Sequence, residues 1–326
     1  MTLQLFEINS GSKGQKRSIP ALVVKRALSA GELGRKWLEN LDSLITVLEK
    51  QWSIVAGRVL FGGTHAYVAY ADGRDGAKYV LKIDMPEDLG GEFRNGIAVL
   101  EQADGQGYAK LFAYDLEKRA CLLERLGKPV NQLGCPVDEQ LRIICSALQA
   151  SWKKSAGNTG LPSGIDSVVW FRKFIEDTWK ALNCPCSSTV IRRALLYLAS
   201  REKNMNPAEY VLLHGDAHGG NTLQDLSGNQ TFKLIDPDGI FYERAYDLGV
   251  LMREWVDEYM PSPLQKGKER CEYLHHLTGV SWQAIWEWGF LQTVSTSFVL
   301  LQTGQEDTGR KMLNVAEHWA AEHVKI

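Results

Sequence analysis

Three oxygen-bearing side chains between residues 210 and 239 stand out by their types and spacing. Asp216 closely follows an apolar run that ends at Leu213, Asn221 comes five residues later, and Asp236 ends a second apolar run. An amide oxygen beside a carboxylate suits Mg²⁺, which takes one or two carboxylates and completes its coordination with phosphates and water. Another carboxylate can orient an attacking hydroxyl, so these residue types are typical of phosphoryl transfer.

A hairpin would bring two of these side chains together. The apolar stretches 222–224 and 231–235 predict two short strands, and the Ser-Gly-Asn sequence at 227–229 is typical of a turn. If Asn221 faces Asp236, the centre of the hairpin falls inside that turn. We therefore predict that both side chains return to one end of the hairpin.

The remaining elements follow from the spacing of apolar residues. Apolar residues at three- and four-residue steps predict an amphipathic helix over 31–55, whereas short β-branched and aromatic runs predict strands. The predicted order is three antiparallel strands over 54–84, a helix over about 88–102, strands at 108–115 and 119–126, and mainly helices beyond 127. We expect an α+β protein with an N-terminal extension (1–30), an N-terminal lobe (31–126), a helical C-terminal lobe (127–326) and a ligand cleft between the lobes.

The composition is that of an ordinary folded protein, and it excludes several classes of partner. The chain has 326 residues, of which 44% are hydrophobic and 23% charged, and the net charge of −2 gives no positive field for nucleic acid. The uncharged stretch 288–305 is interrupted by Gln, Thr and Ser, which predicts a buried helix and no membrane association. Residues 1–20 lack the apolar core of a secretion signal, so we expect a cytoplasmic protein.

The paired motifs HGDxxxxN and IDPDG resemble the catalytic and metal-binding loops of the aminoglycoside phosphotransferases, a family with the protein-kinase-like fold. Further stretches resemble its streptomycin-kinase-like branch, among them FGGTHAYV at 61–68, LLERL at 122–126 and WGFLQTVSTS at 288–297. The resemblance extends from about residue 31 to the C-terminus. It implies a two-lobed protein-kinase-like α+β fold, with the nucleotide bound by the N-terminal lobe.

For the catalytic loops, the resemblance implies a role for each motif residue. It makes Asp216 the catalytic aspartate, and it makes Asn221 and Asp236 the Mg²⁺ ligands. His214 directly follows an apolar strand, so we interpret it as a residue that fixes the loop. We interpret Asp247 as a carboxylate that begins a helix or holds the catalytic loop.

For the nucleotide, the resemblance implies that Lys82 in YVLKI meets the α- and β-phosphates. Glu92 is expected to hold Lys82 from the following helix, with Glu101 as the alternative. Further nucleotide contacts are expected from two backbone segments, with Gly62, Gly63 and Thr64 over the phosphates and Glu124 to Leu126 beside the adenine.

The implied activity is Mg²⁺-dependent transfer of the γ-phosphoryl group of ATP to a hydroxyl of an aminoglycoside such as streptomycin, which would confer antibiotic resistance. GTP stays open as the donor, as do the acceptor hydroxyl and the choice between monomer and homodimer. Two alternatives are a kinase of another small metabolite (a sugar, amino sugar or macrolide) and a catalytically silent kinase-like binding protein. The acidic run Glu254, Asp257 and Glu258 is interpreted either as a surface that attracts a polycationic acceptor or as a solvated helix face, and His218 as peripheral.

Overall fold

The computed structural model describes residues 5–8, 17–63, 65–86, 93–154, 160–228 and 231–321. The chain divides into two compact units, Met1–Gly127 and Lys128–Ile326. The predicted lobe boundary lies one residue before this division, and the functions assigned to the two lobes stay predictions. Thr64 and Glu92 lie outside the described residues.

The first unit combines helices with an antiparallel sheet. Its strands are β1 (Leu5–Ile8), β2 (Arg17–Pro20), β3 (Ile54–Val59), β4 (Ala66–Gly73), β5 (Lys78–Asp84), β6 (Leu111–Asp115) and β7 (Ala120–Glu124). Its helices are α1 (Ala21–Ser29), α2 (Gly31–Gln51) and α3 (Phe93–Ala103). Among the described residues, β3 to β7 form one sheet in the order β3-β4-β5-β7-β6, and β1 pairs with β2. The predicted strands and helices of this unit therefore form, with ends that differ by a few residues, and the predicted start of the helix at about 88 lies outside the described residues.

The hydrophobic core of the first unit joins the sheet to α1 and α2. Leu41 and Ile45, four residues apart on α2, are buried in the same cluster as Leu81 of β5. Val23 and Ala27 of α1 belong to this cluster too. The segment predicted as an N-terminal extension thus contributes to the core.

The second unit is mainly helical. Within its described residues, helices α4 to α10 are Val137–Ser151, Gly164–Ala181, Ser188–Lys203, Ala245–Arg253, Pro263–Thr278, Trp282–Gln302 and Glu306–Ala320. Its strands are β8 (Val211–Leu213), β9 (Thr222–Gln224), β10 (Phe232–Leu234) and β11 (Ile240–Tyr242), which form the antiparallel pairs β8–β11 and β9–β10. Only β11 is missing from the sequence prediction, because its three residues follow a turn sequence too closely to give a periodic signal.

Helix α9 is buried along most of its length. All residues from Ala284 to Phe298 except Thr296 are buried, which confirms the predicted buried helix up to residue 298. Residues 299–305 of the predicted stretch are exposed or half-buried, and the helix ends at Gln302. None of the helices in the described part of the chain has both the length and the apolar character that a membrane span needs.

Two glycines allow α7 and α9 to approach each other closely. A Cβ atom on Gly249 of α7 would lie 2.9 Å from the Cβ of Trp288, and a Cβ on Gly289 of α9 would lie 2.6 Å from the Cβ of Met252. Contacts this short exclude any larger residue unless a helix shifts. The backbone separation of α7 and α9 therefore depends on glycine at both positions.

Candidate active site

The predicted hairpin forms, but its register differs by one residue from the prediction. Leu234 pairs with Thr222, and the amide of Ile235 donates to the carbonyl of Asn221 at 2.9 Å. Ile235 therefore lies opposite Asn221, and the prediction that Asp236 faces Asn221 is wrong.

The turn explains the shift in register. The Asp225 carboxylate accepts the Ser227 amide at 2.9 Å and the Thr231 hydroxyl at 3.2 Å, and the Asp225 amide donates to the Thr231 carbonyl at 2.9 Å. These bonds join Asp225 to Thr231 and so pair these two residues across the turn. When residue 225 pairs with residue 231, the hairpin is centred on a residue. The predicted pairing of Asn221 with Asp236 would place the centre between two residues, so the two registers differ by one.

Asp236 still lies at the Asn221 end of the hairpin because it directly follows Ile235. Its φ of 57° is in the left-handed region, which is uncommon for residues other than glycine. The chain therefore bends sharply at this point, and the Asp236 side chain is exposed. Backbone conformations of this kind concentrate at functional sites.

His214 ties the two loops together, as the sequence predicted for a residue that fixes the loop. Its side chain is fully buried, with Nε2 2.7 Å from the carbonyl of Ile235 and Nδ1 accepting the amide of Asp216 at 3.1 Å. The amide of Asp238 donates to the His214 carbonyl at 2.8 Å. Since Nδ1 accepts, Nε2 carries the proton, and burial lowers the pKa of His214 so that the ring is neutral.

Asp247, near the start of α7, holds the backbone of the loop that contains Asp216. Its buried carboxylate accepts the amides of His214 at 3.2 Å and Gly215 at 2.7 Å, together with the indole N–H of Trp152 at 2.9 Å. Burial raises the pKa of Asp247, and the neighbouring His214 and these N–H donors act in the opposite direction. The geometry thus supports the predicted holding role.

The carboxylate of Asp216 lies between two side chains. Arg253, the last residue of α7, binds Oδ1 through Nη2. His218 Nε2 lies 3.7 Å from Oδ2, and its Nδ1 accepts the Gly220 amide at 3.0 Å, which leaves the proton on Nε2. His218 is therefore not peripheral, because its protonated nitrogen faces the side chain predicted to be catalytic.

Asn221 has its amide group fixed by the same loop. Its Nδ2 donates to the carbonyl of Asp216 at 3.1 Å. The carboxamide oxygen is the other end of this group, and it is an atom that can bind a hard cation. The structure therefore brings Asp216, Asn221 and the bend at Asp236 into adjoining loop segments.

The acidic run does not form one joint surface. Glu258 binds Arg270 at 2.7 Å and Asp257 binds Lys311 at 3.1 Å, whereas the Glu254 carboxylate lies 3.8 Å from Nε of Arg253. Basic side chains thus offset each of these charges. Such pairs weaken any attraction for polycations, and because Glu254 lies after the end of α7 and Asp257 and Glu258 lie in a 3-10 turn, the run does not form the helix face of the other interpretation.

In the first unit, Lys82 on β5 has an acidic neighbour on its own strand. Its Nζ lies 3.1 Å from Oδ1 of Asp84, whose carboxylate is buried. Glu101, the alternative partner, forms a hydrogen bond with the Tyr114 hydroxyl and raises the pKa of that tyrosine. His65 lies close enough to Lys82 that burial, the charge of Arg26 and then that of Lys82 lower the pKa of His65.

The other nucleotide-contact residues lie where the sequence places them along the chain. Gly62 and Gly63 are exposed between β3 and β4, and Cβ atoms there would meet nothing within 4 Å. Glu124 ends β7 and accepts the Lys110 amide at 2.9 Å, and Leu126 is buried. Their roles stay predictions.

Two side chains that bind predicted site residues are absent from the sequence prediction. They are Arg253, which binds Asp216, and Asp84, which lies beside Lys82. The contact of Asp84 with Lys82 could have been predicted, since the two residues are two apart on one strand and side chains at that spacing share one face. Arg253 has no local signal, because it is 37 residues from Asp216 along the chain. Helix packing alone brings it there.

Residues 51–304 match the model of the aminoglycoside/hydroxyurea antibiotic resistance kinases, which is more than three quarters of the chain. The chain belongs to this family. As a member of this kinase family it is a phosphotransferase that acts on a hydroxyl group, and the predicted resemblance to the streptomycin-kinase-like branch is confirmed.

Two relatives of this kinase are streptomycin 6-kinases. That of Streptomyces griseus is 30% identical over 220 residues, which cover 68% of this chain and 69% of the relative. That of Streptomyces glaucescens is 25% identical over 239 residues, which cover 72% of this chain and 75% of the relative.

Among solved structures, the kinase is similar to a thermostable mutant of aminoglycoside phosphotransferase APH(4)-Ia in a ternary complex with ADP and hygromycin B. The TM-score is 0.56 at 13% identity, and the match covers 87% of this chain and all of the other. A likeness at this identity concerns the fold. It confirms the predicted two-lobed protein-kinase-like α+β fold class.

Proposed function

We propose that this kinase transfers the γ-phosphoryl group of ATP to a hydroxyl of a streptomycin-like aminoglycoside in a Mg²⁺-dependent reaction, and that it thereby confers resistance. The observation that carries the proposal is the junction of the two loops, where His214 binds both Ile235 and Asp216 and so brings the Asp216–Asn221 segment next to Asp236. The names of the two streptomycin 6-kinase relatives support the acceptor.

Asp216 is the residue we assign to the acceptor hydroxyl. Its carboxylate orients the hydroxyl and takes its proton as the new oxygen–phosphorus bond forms and the bond from the γ-phosphorus to the bridging oxygen of ADP breaks. The 36% exposure of the Asp216 side chain leaves it accessible to a small molecule. Phosphoryl transfer needs no covalent intermediate on the protein, so positioning is the main requirement.

The loop residues fit a Mg²⁺ ion. Asn221 is anchored through Nδ2, so its oxygen is presented from a fixed amide, and the exposed Asp236 carboxylate follows the residue opposite Asn221. One amide oxygen and one carboxylate are the hard ligands that Mg²⁺ takes together with phosphates and water. When bound, the ion would neutralise charge on the phosphates.

We assign the nucleotide to residues 31–126 and the acceptor to residues 127–326. Lys82 would bind the α- and β-phosphates, with Asp84 and Glu92 as acidic groups that hold it. The glycine turn with Thr64 would cover the phosphates through backbone N–H groups. The backbone of Glu124 to Leu126 would contact the adenine.

For the acceptor, the acidic run offers one carboxylate that adjoins the side chain binding Asp216. The Glu254 carboxylate lies 3.8 Å from Nε of Arg253, the side chain that binds Asp216, whereas Glu258 and Asp257 are bound to Arg270 and Lys311. We therefore assign Glu254, rather than Asp257 or Glu258, to the side of the site where the acceptor binds.

The test is a transfer assay with the purified full-length protein, γ-labelled ATP or GTP, Mg²⁺ and a panel of acceptors. The panel contains streptomycin, spectinomycin, hydroxyurea, glucosamine and choline. We expect label on streptomycin with ATP, and no label when a chelator removes Mg²⁺. Label on another acceptor would replace the proposed substrate, and nucleotide binding without transfer to any acceptor would support the silent binding protein.

A further inference from the structure

Helix α7 contacts the Asp216 loop at both of its ends. Near its start, Asp247 accepts the amides of His214 and Gly215, and at its last residue Arg253 binds the side chain of Asp216. One helix therefore holds the backbone before Asp216 and the Asp216 carboxylate itself.

The Arg253 guanidinium is fixed from a second side by α9. Its Nη1 donates to the Thr296 hydroxyl at 3.1 Å and to Oε1 of Gln292 at 3.3 Å. Gln292 is held in turn, because its Nε2 donates to the carbonyl of Tyr246 at 2.8 Å. With only 19% of its side chain exposed, Arg253 has a defined orientation.

Two features of the backbone place Arg253 within reach of both partners. The glycines at 249 and 289 allow α7 and α9 to approach closely, which brings the α9 side chains near the end of α7. Directly after α7, Arg270 donates to the carbonyl of Glu254 at 2.6 Å, and Trp255 has a left-handed φ of 52°. A bulky residue in that conformation must be held by its surroundings, so the end of α7 is a constrained point of the chain.

We propose that Arg253 is a positioning residue, which fixes the Asp216 carboxylate so that Oδ2 is the oxygen that receives the acceptor hydroxyl. Arg253 occupies Oδ1, and His218 Nε2 lies on the other side, 3.7 Å from Oδ2. Without the guanidinium, the carboxylate rotates about its side-chain bonds and the hydroxyl meets an oxygen in the wrong place. This inference rests on the proposed function in taking Asp216 as the group that meets the acceptor.

The first experiment compares Arg253→Met, Arg253→Lys and Thr296→Val with the wild-type protein. Methionine retains the apolar stem and removes the donors, lysine restores a charge without the planar fork, and valine removes only the Thr296 contact. The matched control is Arg172→Met, at a half-exposed ion pair with Glu202 remote from Asp216 in the sequence. The measurements are kcat, the KM values for ATP and acceptor, and the affinity and stoichiometry of ADP binding.

We expect Arg253→Met to lower kcat by about 10²-fold, the usual cost of a small misplacement of a reacting group, while ADP affinity and stoichiometry stay unchanged. Arg253→Lys should recover part of that loss, Thr296→Val should show a smaller loss, and the Arg172 variant should resemble the wild type. A merely structural role would lower ADP stoichiometry together with kcat. Wild-type kcat in Arg253→Met, or parallel loss of ADP binding in Arg253→Met and Arg253→Lys, would overturn the proposal.

A second experiment separates this proposal from the proposed function. If the wild-type protein phosphorylates none of the acceptors, the proposed function fails, and thermal unfolding then decides whether the carboxylate is held. We expect Arg253→Met to lower Tm in the wild-type background. In the Asp216→Asn background the same substitution should lower Tm clearly less, because the ion pair of Arg253 with Asp216 is already lost there. Equal shifts in both backgrounds would overturn the positioning role.

Discussion

At the residue scale, both the backbone and the side chain of Asp216 are held by neighbouring residues. The amide donates to His214 Nδ1 at 3.1 Å, the carbonyl accepts Asn221 Nδ2 at 3.1 Å, and the carboxylate lies between Arg253 and His218. A residue that only formed a turn would not need Arg253 and His218 beside its carboxylate. This density of partners is the physical basis for assigning the chemistry to Asp216.

Replacing Asp216 by alanine removes the proposed proton acceptor. We expect kcat to fall by at least ~10²-fold, the usual size of a lost general base, with ADP affinity largely kept. Steady-state kinetics and calorimetric ADP titration measure the two quantities. Asp177→Ala, at an exposed acid paired with Lys173, is the control and should leave both unchanged. Near-normal transfer by Asp216→Ala would reject the role.

Asp236 is expected to act on nucleotide binding through the metal. In Asp236→Ala, the loss of a carboxylate ligand should abolish the gain in nucleotide affinity that Mg²⁺ gives, whereas affinity without Mg²⁺ should stay the same. Calorimetric titrations of the variant and the wild type, each with and without Mg²⁺, check this. An undiminished effect of Mg²⁺ in the variant would show that Asp236 is not a ligand.

At the element scale, the two loops that contain Asp216 and Asp236 are held together by a buried ring rather than by a long strand pairing. The strands β9 and β10 have three residues each, and beyond Ile235 the chain turns away at Asp236. His214 spans the gap by bonding to both loops. The loop geometry therefore depends on the protonation state of one imidazole.

The pH dependence of stability should carry the signature of this buried neutral imidazole. Burial lowers the pKa of His214 in the folded protein, whereas the unfolded side chain takes up a proton below pH ~6.5. Below that pH the unfolded state binds more protons, so the free energy of unfolding falls as the pH decreases, and the stabilisation is fully present above it.

Urea denaturation at pH ~7.5 and pH ~5.5, for the wild type and for His214→Gln, measures this effect. We expect the wild type to lose more stability over this interval than the variant, which cannot take up the proton. Asp247, whose pKa burial raises, titrates with the opposite sign but is present in both proteins. The same loss in both proteins would show that His214 does not contribute.

At the scale of the whole molecule, the second unit contains a buried ion network whose residues have no predicted role in the chemistry. Arg201 of α6 binds Glu287 of α9, which is fully buried, and also Glu243 at 3.3 Å. Ser200 and Gln283 each donate to Glu287 at 2.9 Å. Within the part of the chain that the structure describes, Arg201 is the only cation bound to these two carboxylates, and the indole N–H of Trp288 donates to Glu243 at 2.7 Å. Each carboxylate thus has hydrogen-bond donors, and burial raises the pKa of Glu243.

Removing the cation from this network should destabilise the protein strongly. In Arg201→Met, Glu287 stays buried with its charge uncompensated, and we expect the free energy of unfolding to fall by about 3–5 kcal/mol. Chemical denaturation measures the change. The half-exposed Arg172→Met variant is the comparison and should lose less than about 1 kcal/mol. Similar losses in both variants would contradict this account.

Much of the fold could be predicted because it is encoded locally. The helix α2 and the strands β3 to β7 have the apolar spacing of their type, and the buried helix α9 lacks charged residues except Glu287. The motifs HGDxxxxN and IDPDG of the two loops are likewise recognised from neighbouring residues. The register of β9 and β10 could not be predicted to the residue, since side-chain bonds of Asp225 inside the turn decide it.

The sequence by itself determined where the oxygen-bearing side chains Asp216, Asn221 and Asp236 stand and in what order, because motif spacing and periodicity are properties of neighbouring residues. Only the tertiary structure decided what holds them. Asp247 reaches the amides of His214 and Gly215, and Arg253 reaches Asp216, across more than thirty residues of chain. The physical reason is that such contacts depend on how closely α7 and α9 pack, and no local pattern specifies that distance.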